Sequence, residues 1–317
     1  MIILTGAAGF IGSYYLDAVQ REEVILVDEF SRADKQRNLE GKHFSLKIHR
    51  DIFLNWWEKN EVEVGAVIHI GARTDTTEQS VELFNQLNLD YTKAIWNICT
   101  ERQIPLIYAS SAATYGLGEH GYVDSHGIVS KLQPLNPYGR SKNDFDAWAL
   151  AQDKTPPFWA GLKFFNVYGP NEYHKGRMAS VIFHAFNQIE KTGKMKLFRS
   201  HRADIADGHQ SRDFVYVKDV VKVIEFLRKG SDQLSSGLYN LGTGQARTFL
   251  DLVNATFTAM NREPNLEFID TPADIRDTYQ YFTEADIAKL RSIGYEADFV
   301  SLEEGVEDYV REYLMKR

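Results

Sequence analysis

A chain of 317 residues, 44% hydrophobic and 13% aromatic, has enough apolar material for one large core and a smaller lobe. Its net charge of −8 argues against nucleic acid or an anionic membrane as the main partner. A single cysteine, Cys99, forbids an internal disulfide and suits the cytoplasm, and no apolar run reaches the roughly 18 residues of a membrane span.

The opening MIILTGAAGF is apolar but has neither a basic leader nor a cleavage region, so it reads as structure. Ile2, Ile3 and Leu4 run without polar alternation, which predicts a strand buried on both faces of a parallel sheet. GAAGFIG then places glycines at 6, 9 and 12, and a helical pattern continues through Tyr15, Leu16 and Val19. Gly6 permits a tight turn, and a small residue near Gly9 lets backbone approach a pyrophosphate. The helix N-terminus turns free N–H groups and a positive dipole end toward it. The next apolar run, Val24 to Val27, ends at Asp28, where an acid reaches a ribose hydroxyl. A glycine triplet after a strand, before a helix and followed by that acid predicts a nicotinamide dinucleotide site. Arg32, Lys35 and Arg37 come next, and Arg50 ends a later alternating stretch. Cations there neutralise a 2′-phosphate, so NADP is favoured and NAD stays open.

AVIHIGA, 66 to 72, predicts a second buried strand ending near the pyrophosphate, with Gly71 and Ala72 small enough to let the cofactor pass. His69 in it reads as a packed histidine. A long helix over about 78 to 102 carries Asn88 near the strand ends, either tying them together or exposed. The strand PLIYAS, 105 to 110, leads into a second serine, Ser111, and after a loop PYGRSK sets Tyr138 and Lys142 on one helix face. Tyrosine is a poor base near its ordinary pKa of about 10. An ammonium and the charge of an oxidised nicotinamide favour the phenolate, and Ser111 is placed to bond the same hydroxyl. The polar stretch 199 to 213 reads as an exposed loop, and His201, Asp204, Asp207 and His209 in it match no metal-ligand spacing.

YASSAATYG at 108 to 116, YGRSK at 138 to 142 and FNVYGP at 165 to 170 resemble the extended short-chain dehydrogenase/reductases that act on nucleotide-linked sugars, over essentially the whole chain. HKGRMASVIFH at 174 to 184, RDFVYVKDV at 212 to 220, YNLGTG at 239 to 244 and TYQYFT at 278 to 283 resemble one branch, the ADP-heptose 6-epimerases. That resemblance implies inversion of C6 of ADP-D-glycero-β-D-manno-heptose through a 6-keto intermediate, for the heptose of the lipopolysaccharide inner core. It implies Tyr138 and Lys175 as two acid/bases, Lys142 as the residue that lowers the tyrosine pKa and holds the ribose, and Ser111 as the residue that positions the substrate oxygen. Phe10, Ile11, Glu29, Ile70, Arg73, Asn88 and Val167 join the glycines, Asp28, Lys35 and Arg50 as cofactor contacts. Asn166 lies beside the nicotinamide and the substrate. Arg177, His184 and Arg212 hold the ADP diphosphate or ribose, Phe198 stacks on adenine and Tyr279 caps the sugar or phosphate. The family also implies a homo-oligomer, a pentamer. The loops before Tyr138 and before Arg212 are longer than the family pattern, a departure that touches substrate fit more than chemistry.

The expected architecture is a doubly wound parallel sheet with helices on both faces, built from 1–167 with 213–236. A smaller substrate lobe comes from 168–212 and 237–317, with the site in the cleft between them. A nucleotide-sugar 4-epimerase shares the Tyr-Lys pair but does not need Lys175. A 4,6-dehydratase carries an acid pair where Ala112, Ala113 and Thr114 stand here. A non-catalytic NADP sensor has no use for Tyr138 and Lys142.

Overall fold

The computed structural model describes residues 1–272, 276 and 279–317. Thr278, the first residue of the TYQYFT block, lies outside them. The first half alternates strand and helix: β1 (Ile2–Thr5), α1 (Phe10–Ala18), β2 (Val24–Asp28), α2 (Ala33–Gln36), β3 (Leu46–His49), α3 (Arg50–Lys59) and β4 (Ala66–His69). Then come α4 (Val81–Phe84), α5 (Tyr91–Glu101), β5 (Leu106–Ser111), α6 (Pro137–Leu150) and β6 (Trp159–Phe164). The remainder holds β7 (Asn166–Tyr168), α7 (Val181–Thr192), β8 (Met195–Phe198), β9 (Ser211–Tyr216), α8 (Val217–Lys229), β10 (Gly237–Leu241), β11 (Ala246–Thr248), α9 (Phe249–Ala259) and β12 (Leu266–Ile269). A short helix, Leu302–Asp308, lies near the C-terminus.

Seven parallel strands form the main sheet in the order β10-β6-β5-β4-β1-β2-β3. Alternate residues of one strand feed opposite cores, which is why these strands are apolar without polar alternation. In β1, Leu4 packs with Tyr15 and Leu16 of α1 and Val223, Ile224 and Leu227 of α8. Its neighbour Ile3 packs with Phe53 and Trp57 of α3, Trp96 of α5 and Phe145 of α6. Each such side chain contributes roughly 1.5–3 kcal/mol on burial. Among the described residues, no helix is long and apolar enough to cross a membrane.

Two expectations change. The boundary at 237 moves, because Gly237–Leu241 pairs in parallel with β6 and completes the main sheet. Conversely, β7 and β9 leave it for a three-stranded sheet, β11-β9-β7, beside a two-stranded pair, β12-β8. The loop expected over 199–213 ends early: Ser211, Arg212 and Asp213 pair with β11, and Arg212 and Asp213 are buried. The expected long helix runs from Val81 to Glu101 with a wider π-type turn over Asn85–Asp90, a distortion frequent at functional sites.

Candidate active site

The turn between β1 and α1 lies where the strand order diverges from β1 toward β2 and β4, the switch point at which such sheets bind ligands. Gly6 takes φ +68, and a Cβ there would meet the Gly71 backbone at 2.7 Å. A Cβ on Gly12 would meet the Gly6 carbonyl oxygen at 2.2 Å. The two glycines therefore let loop, helix and β4 end close to a common point. Gly9 caps α1 without a side-chain acceptor, so the N–H groups of Phe10, Ile11 and Gly12 stay free of one. That cradle fits a pyrophosphate.

Asp28 is buried, and the Ala8 and Glu29 amides donate to it at 2.9 and 2.7 Å. Lys35 Nζ donates to the same carboxylate at 3.3 Å. The neighbouring cations go elsewhere. Arg32 pairs with Asp34 and donates to the His174 carbonyl, while Arg37 lies over the Tyr173 ring. Arg50 follows His49, the register partner of Asp28, and pairs with Asp51. Glu29 and Ile70 flank the site, Glu29 accepting from Ser31 and Ile70 donating its amide to the Thr5 carbonyl. His69 is fully packed between Thr5 and Thr92, at 2.6 and 2.9 Å, and burial lowers its pKa to about 3. Asn88 ties the strand ends to α6. Its oxygen accepts from the Arg73 amide, and its nitrogen donates to the Arg73 carbonyl and to Ser141 Oγ. Ala72 lies between Gly71 and Arg73 on that stretch.

Ser111 closes β5, and α6 starts with Asn136 as its cap and Pro137 in its first turn. Gly139 lets this helix approach the turn after Ser111, since a Cβ would meet the Ala113 oxygen at 2.6 Å. Tyr138 lies beside Ser111, which acts to lower the phenol pKa. Lys142, buried on the same helix face, donates to the Ala109 carbonyl at 2.7 Å. Burial raises the Tyr138 phenol pKa, and Ser111 acts against that rise. Burial lowers the pKa of Lys142 itself to about 8, with Asp146 acting upward.

Lys175 lies on a short strap, Tyr173–Met178, whose Gly176 at φ +54 breaks its helical run. Its ammonium lies 5.2 Å from the centroid of the Phe10 ring, at the first residue of α1. Burial lowers its pKa and nearby Glu172 raises it. No hydrogen bond or ion pair joins Lys175 to Tyr138, Ser111 or Lys142. The strap is tied to the dinucleotide half instead. Asn38 donates to the Ala8 and Asn171 carbonyls, each at 3.1 Å, and Asn171 donates to Ser13 Oγ at 3.0 Å.

The residues assigned to substrate divide. Arg212, Phe198 and Tyr279 come together: the guanidinium lies 5.5 Å from the Tyr279 centroid, and Tyr279 meets Phe198 edge-on at 6.2 Å. Arg212 also donates to the Gln280 carbonyl, and Gln280 donates to the Gly116 carbonyl, close to the Ser111 turn. Asn166 and Val167 open β7, Asn166 exposed. Arg177 is exposed on the strap near Asp75, and His184 lies on α7 beside Phe183. Neither contacts the Arg212 group.

Four residues missed in the sequence prove central. Asp146 and Lys163 form a buried ion pair at 2.7 Å. Lys163, a charge inside the apolar strand GLKFFN, demanded a partner and was the available signal. Glu172, fully buried, accepts from the Ser180 amide and hydroxyl at 2.5 and 2.6 Å. Asp213 accepts the amides of Thr243, Gly244 and Ala285, fixing the loops beside Arg212. Among the described residues, no three His, Cys, Asp or Glu side chains gather as a metal site.

A pyrophosphate cradle at the switch point of the sheet, with Tyr138 and Lys142 on one face of α6 and Ser111 at the end of β5, suits reversible oxidation of a bound hydroxyl by a nicotinamide. The chain belongs to the NAD dependent epimerase/dehydratase family, whose model matches residues 2–242. Its relatives are more particular. It is 48% identical to an ADP-L-glycero-D-manno-heptose-6-epimerase of Fusobacterium nucleatum, over 100% of this chain and 98% of that one. It is 46% identical to one from Nitratidesulfovibrio vulgaris strain DP4, over 99% and 98%. The solved ADP-L-glycero-D-manno-heptose-6-epimerase of Helicobacter pylori superposes with a TM-score of 0.80 at 27% identity, over 98% of this chain and 95% of that one. A UDP-N-acetylglucosamine 4-epimerase of Methanobrevibacter ruminantium also reaches 0.80, at 23% identity over 100% and 98%. Fold alone therefore does not separate the two activities.

Proposed function

We propose that this chain inverts C6 of ADP-D-glycero-β-D-manno-heptose with NADP. The observation that carries the reading is the pairing of two proton-transfer candidates on different supports. Tyr138 stands on α6 beside Ser111, and Lys175 stands on the strap at the head of α1. Near-full-length likeness to heptose 6-epimerases supports the substrate. A nicotinamide held by the Gly6–Gly12 turn and Lys142 would supply reversible hydride exchange with C6. The two epimers present the C6 hydroxyl from different sides, so a single fixed base does not serve both. Tyr138 holds or releases the hydroxyl proton of one epimer and Lys175 that of the other, while Ser111 bonds the oxygen throughout. Burial suits Lys175 to this role, because it brings an ammonium toward neutrality. Arg212 takes the diphosphate through paired N–H bonds, with Phe198 beside it to stack on adenine and Tyr279 to cap the sugar or phosphate. Lys35 beside Asp28, with Arg50 one residue past the neighbouring strand, supports NADP over NAD.

The test is proton NMR of ADP-D-glycero-β-D-manno-heptose incubated with purified protein, first without added cofactor and then with NADP or NAD. Conversion to a mixture of C6 epimers is the expected result. No conversion of the heptose, with turnover of a UDP-hexose at C4, would replace the reading by a 4-epimerase.

A further inference from the structure

The acid–base reading leaves one costly feature unexplained. Asp146 and Lys163 pair with their side chains 0% and 1% exposed. Removing two charges from water costs several kcal/mol each, so such a pair is a poor way to fill a core. Its further bonds show where it is directed. Asp146 accepts Ser110 Oγ at 2.6 Å and Tyr108 OH at 3.0 Å. Lys163 donates to Thr114 Oγ1 at 2.8 Å, and that hydroxyl donates to the Ser111 carbonyl at 2.8 Å. Ser111 is thus clasped on both sides, through Ser110 before it and Thr114 after it. Asp146 also lies one helical turn beyond Lys142 and two beyond Tyr138, on the same face of α6.

We infer that the Asp146–Lys163 pair is a positioning device for the Ser111–Tyr138–Lys142 centre, fixing the turn that carries Ser111 and supplying the negative charge that faces Lys142. It deepens the acid–base reading above and rests on it. The charged and titratable groups around Lys142 are few. On α6 they are Tyr138 and Asp146. On β4 there is His69, which burial keeps neutral, and on β6 there is Lys163, joined to Asp146. Asp146 is the group that raises the Lys142 pKa against burial. Without it, the ammonium loses its proton at lower pH.

The test uses Asp146→Asn and the double variant Asp146→Asn with Lys163→Met, which replaces both charges by neutral groups of similar length. The double variant carries the test if the single one does not fold, because it leaves no lone buried charge. We expect a roughly tenfold or larger fall in kcat with KM within about twofold, the signature of a misplaced centre. The alkaline fall of kcat should also begin at lower pH than in the wild type. Lys163→Arg, which keeps the charge, should retain most of the activity. A substrate-free readout accompanies these: the 13Cε shift of Lys142 against pH in lysine-labelled protein, assigned with Lys142→Arg. Its midpoint should move downward in the double variant. Folded variants with wild-type kcat, an unmoved alkaline limb and an unmoved Lys142 midpoint would reduce the pair to core filling and overturn the inference. If the wild type turns over none of the sugars while the midpoint still moves, the substrate reading fails and the positioning device stands.

Discussion

Tyr138 belongs to a 14-residue helix, packed on the main sheet and capped at its start. Lys175 belongs to a six-residue strap with a left-handed glycine in it. The first is fixed from many directions: Ser111, Asn88 through Ser141, and the Asp146–Lys163 pair. The second is held by other parts of the chain, chiefly Asn38 and Ser13 of the dinucleotide half and the buried Glu172. A group on a packed helix is positioned before anything binds. A group on a strap depends on the ties of the neighbouring chain, here Asn38 to the Ala8 and Asn171 carbonyls and Asn171 to Ser13 Oγ.

Substitutions should separate the two regions. The largest effect belongs to Tyr138→Phe, with epimerisation slowed roughly 10³-fold while NADP affinity, read by titration, is kept. Lys175→Met should cost roughly 10²-fold, also with NADP bound normally. A Lys175→Met enzyme with near-normal turnover would remove the strap from the chemistry. Arg212→Lys lies outside both regions and should raise KM roughly tenfold with kcat little changed, because a paired N–H contact to phosphate is lost. Glu172→Gln sharpens the comparison through pH. Glu172 raises the Lys175 pKa, so without its charge Lys175 deprotonates earlier. The limb of the pH–rate profile lost in Lys175→Met should therefore move to lower pH in Glu172→Gln, while the Tyr138 limb stays. The smallest effect is expected from Asn38→Ala, about a threefold loss of kcat from a looser strap, detectable as faster proteolysis between residues 171 and 178.

The two regions also differed in how far the sequence disclosed them. Gly6, Gly9, Gly12 and Asp28 are tied to one local turn and its partner strand, and their spacing declared them. Tyr138 and Lys142 share a helix face, so their pairing followed from a period of 3.6. The anchors of both bases arise from long-range contact instead. Nothing local links Asp146 to Lys163, or Asn38 to Asn171, and the ties form only when the sheet is assembled. The rise that burial imposes on Tyr138 was illegible for the same reason, since burial is a property of the packed site. Strand β10 was assigned to the wrong lobe because LYNL is equally apolar in either sheet.

The most direct measurement is a single-turnover one, cofactor reduction followed at 340 nm, with each C6 epimer presented separately to NADP-loaded Tyr138→Phe and Lys175→Met. The division of labour predicts opposite selectivity, each variant oxidising the epimer served by the base it retains. Loss of both epimers in one variant together with retention of both in the other would contradict it, and would leave one base doing the work of two.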